Sequence, residues 1–243
     1  MLNRMLVIKR SIERGLKIAI LLVFGFSFLT AQDAPQPATE EGEDLDLSGV
    51  AALFKESETL EEFEEKLNSE EAEVNNLDLN KDGEIDYLRV LESVDGSTHL
   101  IVIQAALGEE AYQDVCTIEV DKSEDGNTYV QIVGDKSIYG DSYILEPPPE
   151  EQETVNKTVI IVVFLGPGYR PWRSPYRWGH YPPRYRRRAP VPRATYRNRM
   201  SKRYPQKGRW GHTSRRKSSR ATSMHKSSRK SSNKSKTTQR RRN

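Results

Sequence analysis

Acidic residues are absent from the last 90 positions of this 243-residue chain: none follows Glu153. Cysteine is reduced to Cys116, so no internal disulfide can staple the fold. In a strand pattern between Val115 and Thr117, the lone thiol serves as a small buried apolar group. Long apolar runs are lacking too. The run from Ile18 to Leu29 holds 12 residues, short of the roughly 20 that cross a bilayer core. Also missing are a Gly-x-Ser-x-Gly elbow, a His-Glu-x-x-His pair, a phosphate-binding loop and a Cys/His ligand set. His99 falls in a strand pattern as a surface or satisfied histidine, and His180, His212 and His225 lie where no fixed neighbours are expected. No catalytic constellation survives, and the expectation is a protein that is not an enzyme.

What is present is charge, sorted by sign. Residues 32–153 carry 34 acids against 6 Lys/Arg, about −28, and residues 154–243 carry 27 Lys/Arg, about +27. The formal net charge of +3 hides this separation. Such asymmetry concerns partners and solubility rather than fold, and it points to an anionic partner.

Five segments follow from composition. Residues 1–31 have the form of a signal peptide: Arg4, Lys9, Arg10, Arg14 and Lys17, then the apolar run, then small residues around Ala31. Retention as an uncleaved anchor is the alternative; after cleavage no transmembrane span remains. Residues 32–46 form an acidic linker with nothing to bury. Residues 47–146 form an acidic α+β domain. Its helices lie near Ser48–Lys55 and after a capping box of Thr59 with Glu62, ahead of Leu60, Phe63 and Leu67.

From Val74 the apolar period changes to two. Strands are expected at 84–94, 98–107, 115–121 and 128–134, with turns at Asp95-Gly96 and Glu124-Asp125-Gly126-Asn127. Ile101-Val102-Ile103 has the pattern of a central strand buried on both sides. Cys116, Ile118 and Val120 alternate with Thr117, Glu119 and Asp121, which predicts an antiparallel meander of four to five strands with one face covered by two short helices. Residues 147–166 make a Pro-rich junction with a short apolar strand at Val159 to Leu165. Residues 167–243 turn to Arg, Tyr and Pro and then to Ser, Lys and Arg, and the expectation there is disorder.

One spacing carries metal chemistry. Residues 78–86 place Asp78, Asn80 and Asp82 at alternate positions, Gly83 at the sixth, Glu84 at the seventh and Asp86 at the ninth. A hard cation needs six to eight oxygens, and a loop tightening at Gly83 turns those oxygens inward. The alternative is an Asn/Asp/Gly turn before a strand. The pattern resembles the first part of an EF-hand loop, although Arg89 stands where a bidentate glutamate belongs. It also resembles the calcium loops of FG-GAP-type propeller repeats. That resemblance implies Asp78, Asn80, Asp82 and Asp86 as side-chain ligands of a structural Ca²⁺, with the Glu84 carbonyl beside them. It covers about a dozen residues and occurs once, so a propeller does not follow.

The basic tail interleaves Arg with aromatic rings: Arg170, Trp172, Arg173, Tyr176, Arg177, Trp178, Arg184, Arg186, Arg187 and Arg188. Guanidinium forks suit phosphate and carboxylate, and rings can stack. Asn76 to Tyr87, Val133 to Gly140 and Arg173 to Gly179, together with the signal, resemble a group of uncharacterised exported proteins of Bacteroidetes. The resemblance implies the periplasm or outer envelope of a Gram-negative bacterium, or secretion, and implies no activity. The expected function is an exported envelope protein whose tail tethers the acidic domain to lipopolysaccharide, an acidic glycan, anionic lipid or extracellular nucleic acid. Two alternatives stand beside it. The tail can fold back on its own acidic domain, or the domain can be a calcium-dependent binding module whose tail serves only solubility or self-association.

Overall fold

The capping box at Thr59 and the apolar spacing beyond it form the helix they predict. The computed structural model describes residues 36–122, 128–151, 169–205 and 209–240, the last with side chains through Arg229. Helix α1 spans Leu47–Lys55 and α2 spans Leu60–Leu67. Asp46 caps α1 by accepting from the Ser48 N–H at 2.9 Å, and Thr59 caps α2 by accepting from the Glu62 N–H at 3.1 Å. Glu62 in turn accepts from the Glu58 N–H, one residue before the cap. The two helices meet through Phe54 and Phe63, edge to face at 5.5 Å.

The period-two region forms an antiparallel sheet in sequence order: β1 Tyr87–Asp95, β2 Thr98–Gly108, β3 Ala111–Lys122, β4 Thr128–Gly134 and β5 Ile144–Glu146. A short helix, α3 Lys136–Tyr139, links β4 and β5. Gly96 turns β1 into β2 with φ +62°, a conformation that side chains other than glycine's resist. The α+β reading holds. One face of the sheet presents Val90, Ile101, Ile103, Ile118, Val120, Val130 and Ile132 to α1 and α2, all within the same buried core. The predicted signal peptide, the turn at 124–127 and the apolar strand at 159–165 lie outside the described residues.

Three expectations fail, for one reason. The segment 36–46 is not an unstructured linker: Glu40–Asp44 form a 3₁₀ helix and Leu45 is 1% exposed. The sheet has six strands among the described residues, the sixth (β6, Gly211–Thr213) pairing with β5. The tail is not disordered where it is described: it carries α4, Arg193–Arg203, and α5, Ser219–Arg240. It buries Tyr196, Met200, Trp210 and Ala221. The tail has too little apolar surface to fold alone, but it does not fold alone. It takes its hydrogen-bond partners, counter-charges and core from the acidic domain.

Consequently the sheet is covered on both faces. Thr117 and Glu119, predicted to face solvent, are 1% and 2% exposed, and Leu100 and Val102 pack beneath Ala221 of α5. Both sheet edges are paired with tail backbone. β6 covers β5, and residues 172–174 cover β1, where the Glu92 N–H donates to the Trp172 carbonyl at 2.8 Å and the Ser174 N–H donates to the Val90 carbonyl at 3.0 Å. No helix among the described residues is long and apolar enough to cross a membrane.

Glu64 is where this wrapping is anchored. Its side chain is fully buried and accepts from Tyr87 Oη at 2.8 Å, the Val90 N–H at 2.8 Å, Trp172 Nε1 at 3.2 Å and Ser174 Oγ at 2.6 Å. Burial raises its carboxyl above the usual range while these four donors pull it back. Removing the acceptor leaves several buried donors unpaired, each at about 1–3 kcal/mol. Glu64→Ala is expected to destabilise the chain by at least about 3 kcal/mol, a loss of about 10 °C in Tm for a domain of this size. Glu64→Gln, which keeps one acceptor oxygen, should cost less. Thermal unfolding followed by circular dichroism checks both; an unchanged Tm in Glu64→Ala would remove Glu64 from this role.

Candidate functional site

The loop before β1 is built by its own side chains. Lys81 and Gly83 take positive φ, +60° and +84°, and the chain turns tightly between them. Asp78 accepts from the Asp82 N–H at 3.1 Å and the Gly83 N–H at 3.0 Å. Asp82 accepts from the Glu84 N–H at 2.9 Å, and Asn80 donates to Asp82 at 3.0 Å. Asp86 accepts from the Leu79 N–H at 2.6 Å through Oδ2. The arrangement is an Asx-type turn whose acidic side chains satisfy its backbone.

Asp86 departs from that economy. It is 3% exposed, and its Oδ1 has no hydrogen-bond partner. Burial, reinforced by the charges of Asp78 and Asp82, pushes its carboxyl up to about 7, against the pull of the Leu79 N–H. An orphaned buried oxygen beside two further carboxylates fits a bound cation. The carboxylates of Asp78, Asp82 and Asp86 nevertheless do not all lie within 4.8 Å of one another, so a cation would have to draw them in. Glu84 turns its carboxylate to Arg187 at 2.7 Å.

The Arg-aromatic segment divides in two. Trp172 and Tyr176, expected to meet a polyanion, face the domain instead: Trp172 bonds Glu64, and Tyr176, Tyr181 and Tyr185 surround Tyr87 with ring centroids at 5.9, 5.3 and 5.0 Å. Arg187 is held by Glu84 and lies over Trp178 and Tyr181 at 5.7 and 5.5 Å. Arg188 donates to the Ser69 carbonyl at 3.0 Å, and its backbone carbonyl accepts from the Ile85 N–H at 2.8 Å. By contrast Arg170, Arg173, Arg177, Arg184 and Arg186 are exposed. Arg184 is 90% exposed and its nearest carboxylate, on Glu65, is 3.9 Å away; Arg186 donates only to the carbonyls of Pro183 and Tyr185. Arg170, Arg173 and Arg177 form no ion pair among the described residues.

Further along, the tail spends its charge on the domain. Arg193 bonds Asp44 at 2.8 Å, Arg209 bonds Asp46 at 2.6 Å, Lys217 bonds Glu146 at 2.8 Å, and Arg216 grips the buried Glu119. His99 forms a 2.6 Å contact with Glu92, both sealed at 2% and 0% side-chain exposure. This pair was invisible in sequence, since its members lie on adjacent strands and only the register Val94 to His99 brings them together. Sealed from solvent, it serves structure.

The raised carboxyl of Asp86 has a signed consequence. A buried acid that binds its proton more tightly when folded favours the fold below the unfolded value near 3.8, and that advantage is lost as pH rises to about 7. Without an added cation, Asp86→Asn should therefore be more stable than the unchanged chain at pH 8, and the difference should shrink to nothing near pH 4. Urea denaturation at both pH values measures it; a difference independent of pH would show that Asp86 is not buried as a charge.

Compared with known protein families, curated proteins and solved structures, the chain matches none.

Proposed function

We propose that this is a non-enzymatic, exported envelope protein that presents an arginine strip to an anionic surface. The observation that carries the reading is the division of the tail. Among the described residues, most cations from Arg187 to Arg229 are paired with carboxylates of the acidic domain, while Arg170, Arg173, Arg177, Arg184 and Arg186 stand outward with no described carboxylate closer than the 3.9 Å of Glu65 to Arg184. Pro171, Pro175, Pro182 and Pro183 stiffen the strip, so presenting it costs little ordering entropy. The basic and then apolar N-terminus supports export. Lipid phosphate, lipopolysaccharide phosphate and acidic glycans share the chemistry that guanidinium forks recognise.

Truncation is a poor test, because deleting the tail strips both sheet edges and one face. The informative variant changes Arg170, Arg173 and Arg177 together to Ala. At about 1 kcal/mol per basic residue near an anionic surface, binding to phosphatidylglycerol vesicles should fall roughly a hundredfold. Binding by the unchanged chain should weaken with salt. Changing Lys202, Arg215 and Lys226 to Ala removes the same charge elsewhere and should matter less. Equal losses in both triple variants would replace a localised strip with net-charge attraction.

A second reading is favoured by Asp86 Oδ1 alone: the loop Asp78–Asp86 takes up a structural Ca²⁺ through Asp78, Asn80, Asp82, Asp86 and the Glu84 carbonyl. Ca²⁺ at a hundred times its dissociation constant stabilises the fold by about 2.7 kcal/mol. Millimolar CaCl₂ should raise Tm, and Asp78→Ala with Asp82→Ala should abolish the rise. The same rise with NaCl at matched ionic strength, or in the double variant, would leave the loop a turn.

A further inference from the structure

A second cluster of metal-ligand residues lies on the far face of the sheet, unrelated to the 78–86 loop. Asp114, Asp135 and His225 bring one ligand atom each within 4.8 Å of one another, the one such group among the described residues. They come from β3, the residue after β4, and α5, so the group exists only because the tail is docked.

Each member is placed by an identifiable device. Strand alternation would put Asp114 on the same face as Cys116 and Ile118. A bulge prevents this: Ile103 pairs with Cys116 but Gln104 pairs with Asp114, so Val115 is extra and Asp114 is re-aimed to the opposite face. Gln104 Nε2 donates to Asp114 Oδ1 at 2.6 Å, leaving Oδ2 toward His225 Nε2 at 3.0 Å. Asp135 is organised the same way. Its Oδ1 accepts from the Ser137 N–H at 2.9 Å and Ser137 Oγ at 2.6 Å. Its Oδ2 is buried and receives no hydrogen bond, although Arg229 Nη2 stands off-axis 2.9 Å away. Asp135 as a whole is 3% exposed. On α5, Ala221 sits on Leu100 and Val102, and one and two turns later on the same face come His225 and Arg229.

Two carboxylates thus each have one oxygen fixed by a neighbour; the other oxygen of Asp114 meets His225, and the other oxygen of Asp135 is buried without a hydrogen bond beside Arg229. Such outer hydrogen bonds are what orient metal ligands. The residue now neutralising the pair is Arg229, whose side chain is half exposed and can swing away. Burial pushes Asp114 up, but hydrogen bonds from His225 and Gln104 and the charge of Arg229 outweigh it, and its carboxyl is held below the usual range.

We propose that Asp114, Asp135 and His225 form a divalent transition-metal site that pins α5 to the sheet, with Arg229 as the resident cation that the metal displaces. One imidazole nitrogen with two carboxylate oxygens suits Zn²⁺, whose bonds of about 2.0–2.2 Å set ligand atoms somewhat over 3 Å apart. The 3.0 Å between His225 and Asp114 is a hydrogen bond a few tenths of an ångström short of that spacing, so a metal would open it slightly and release any proton on His225 Nε2 to solvent, and Asp135, within 4.8 Å of both, would close in. The fourth position is left to water.

The test is calorimetric titration of ZnCl₂ into the chelator-treated full chain. One equivalent should bind. His225→Gln and Asp114→Asn should each weaken binding at least about tenfold, and Gln104→Leu about 10–100-fold. Arg229→Gln is the decisive variant. A purely structural ion-pair cluster predicts a lower Tm and no change in Zn²⁺ affinity, whereas displacement of a competing cation predicts tighter binding. Cobalt substitution gives an independent readout, as visible absorption bands that His225→Gln should abolish. Zn²⁺ affinity unmoved by His225→Gln or by Arg229→Gln overturns the proposal; so does no binding in the unchanged chain and Arg229→Gln alike.

Discussion

The buried carboxylate of Glu64 is the contact through which the two halves of this chain become one structure. It sits on α2, beneath β1, and receives donors from the helix-facing strand and from the strap at Trp172 and Ser174. A carboxylate at 0% exposure is tolerable only if its lone pairs are filled, and α2 with β1 alone supply two donors. The tail supplies the other two. The acidic half is thus built with a vacancy that only the basic half fills. Beside it, Glu92 repeats the arrangement with the Trp172 N–H and His99.

Charge complementarity sets the stage but does not by itself hold the tail in place. Pairs such as Arg197 with Glu43 or Arg184 with Glu65 are exposed, and each contributes about 0–1 kcal/mol. What fixes the register is less electrostatic. Backbone pairing closes both sheet edges, Tyr196 bridges the Asp46 N–H and the Val74 carbonyl, and Trp210 packs into the core. An acidic sheet domain without the tail would keep its repulsion and expose two unpaired edges, the condition under which sheets associate. The same wrapping sorts the cations among the described residues: many from Arg187 onward meet carboxylates of the domain, and those along the Pro-containing strap stay exposed.

Much of the acidic half was legible in advance, because its elements rest on local rules. The capping residues, the two apolar helix stripes, the Asp95-Gly96 turn and the strand alternation each act over a few residues. Even the double burial of Ile101-Val102-Ile103 was present as an uninterrupted apolar run. That burial conflicted with the expectation of one solvated sheet face, and α5 lying over Leu100 and Val102 resolves the conflict.

Sequence alone determined the charge separation, the turn chemistry of Asp78–Asp86 and the class of the fold, since each depends on composition or on neighbours a few positions apart. Tertiary structure alone decided the fate of the tail. Its composition cannot support a core of its own, and only the docked arrangement supplies the sheet edges, the carboxylates and the apolar face that order it. The Glu64 anchor, the Glu92–His99 pair and the Asp114–Asp135–His225 group join residues from 7 to 111 positions apart. Such groupings arise from strand register, from one bulge at Val115 and from where α5 comes to rest, and no local pattern encodes any of the three.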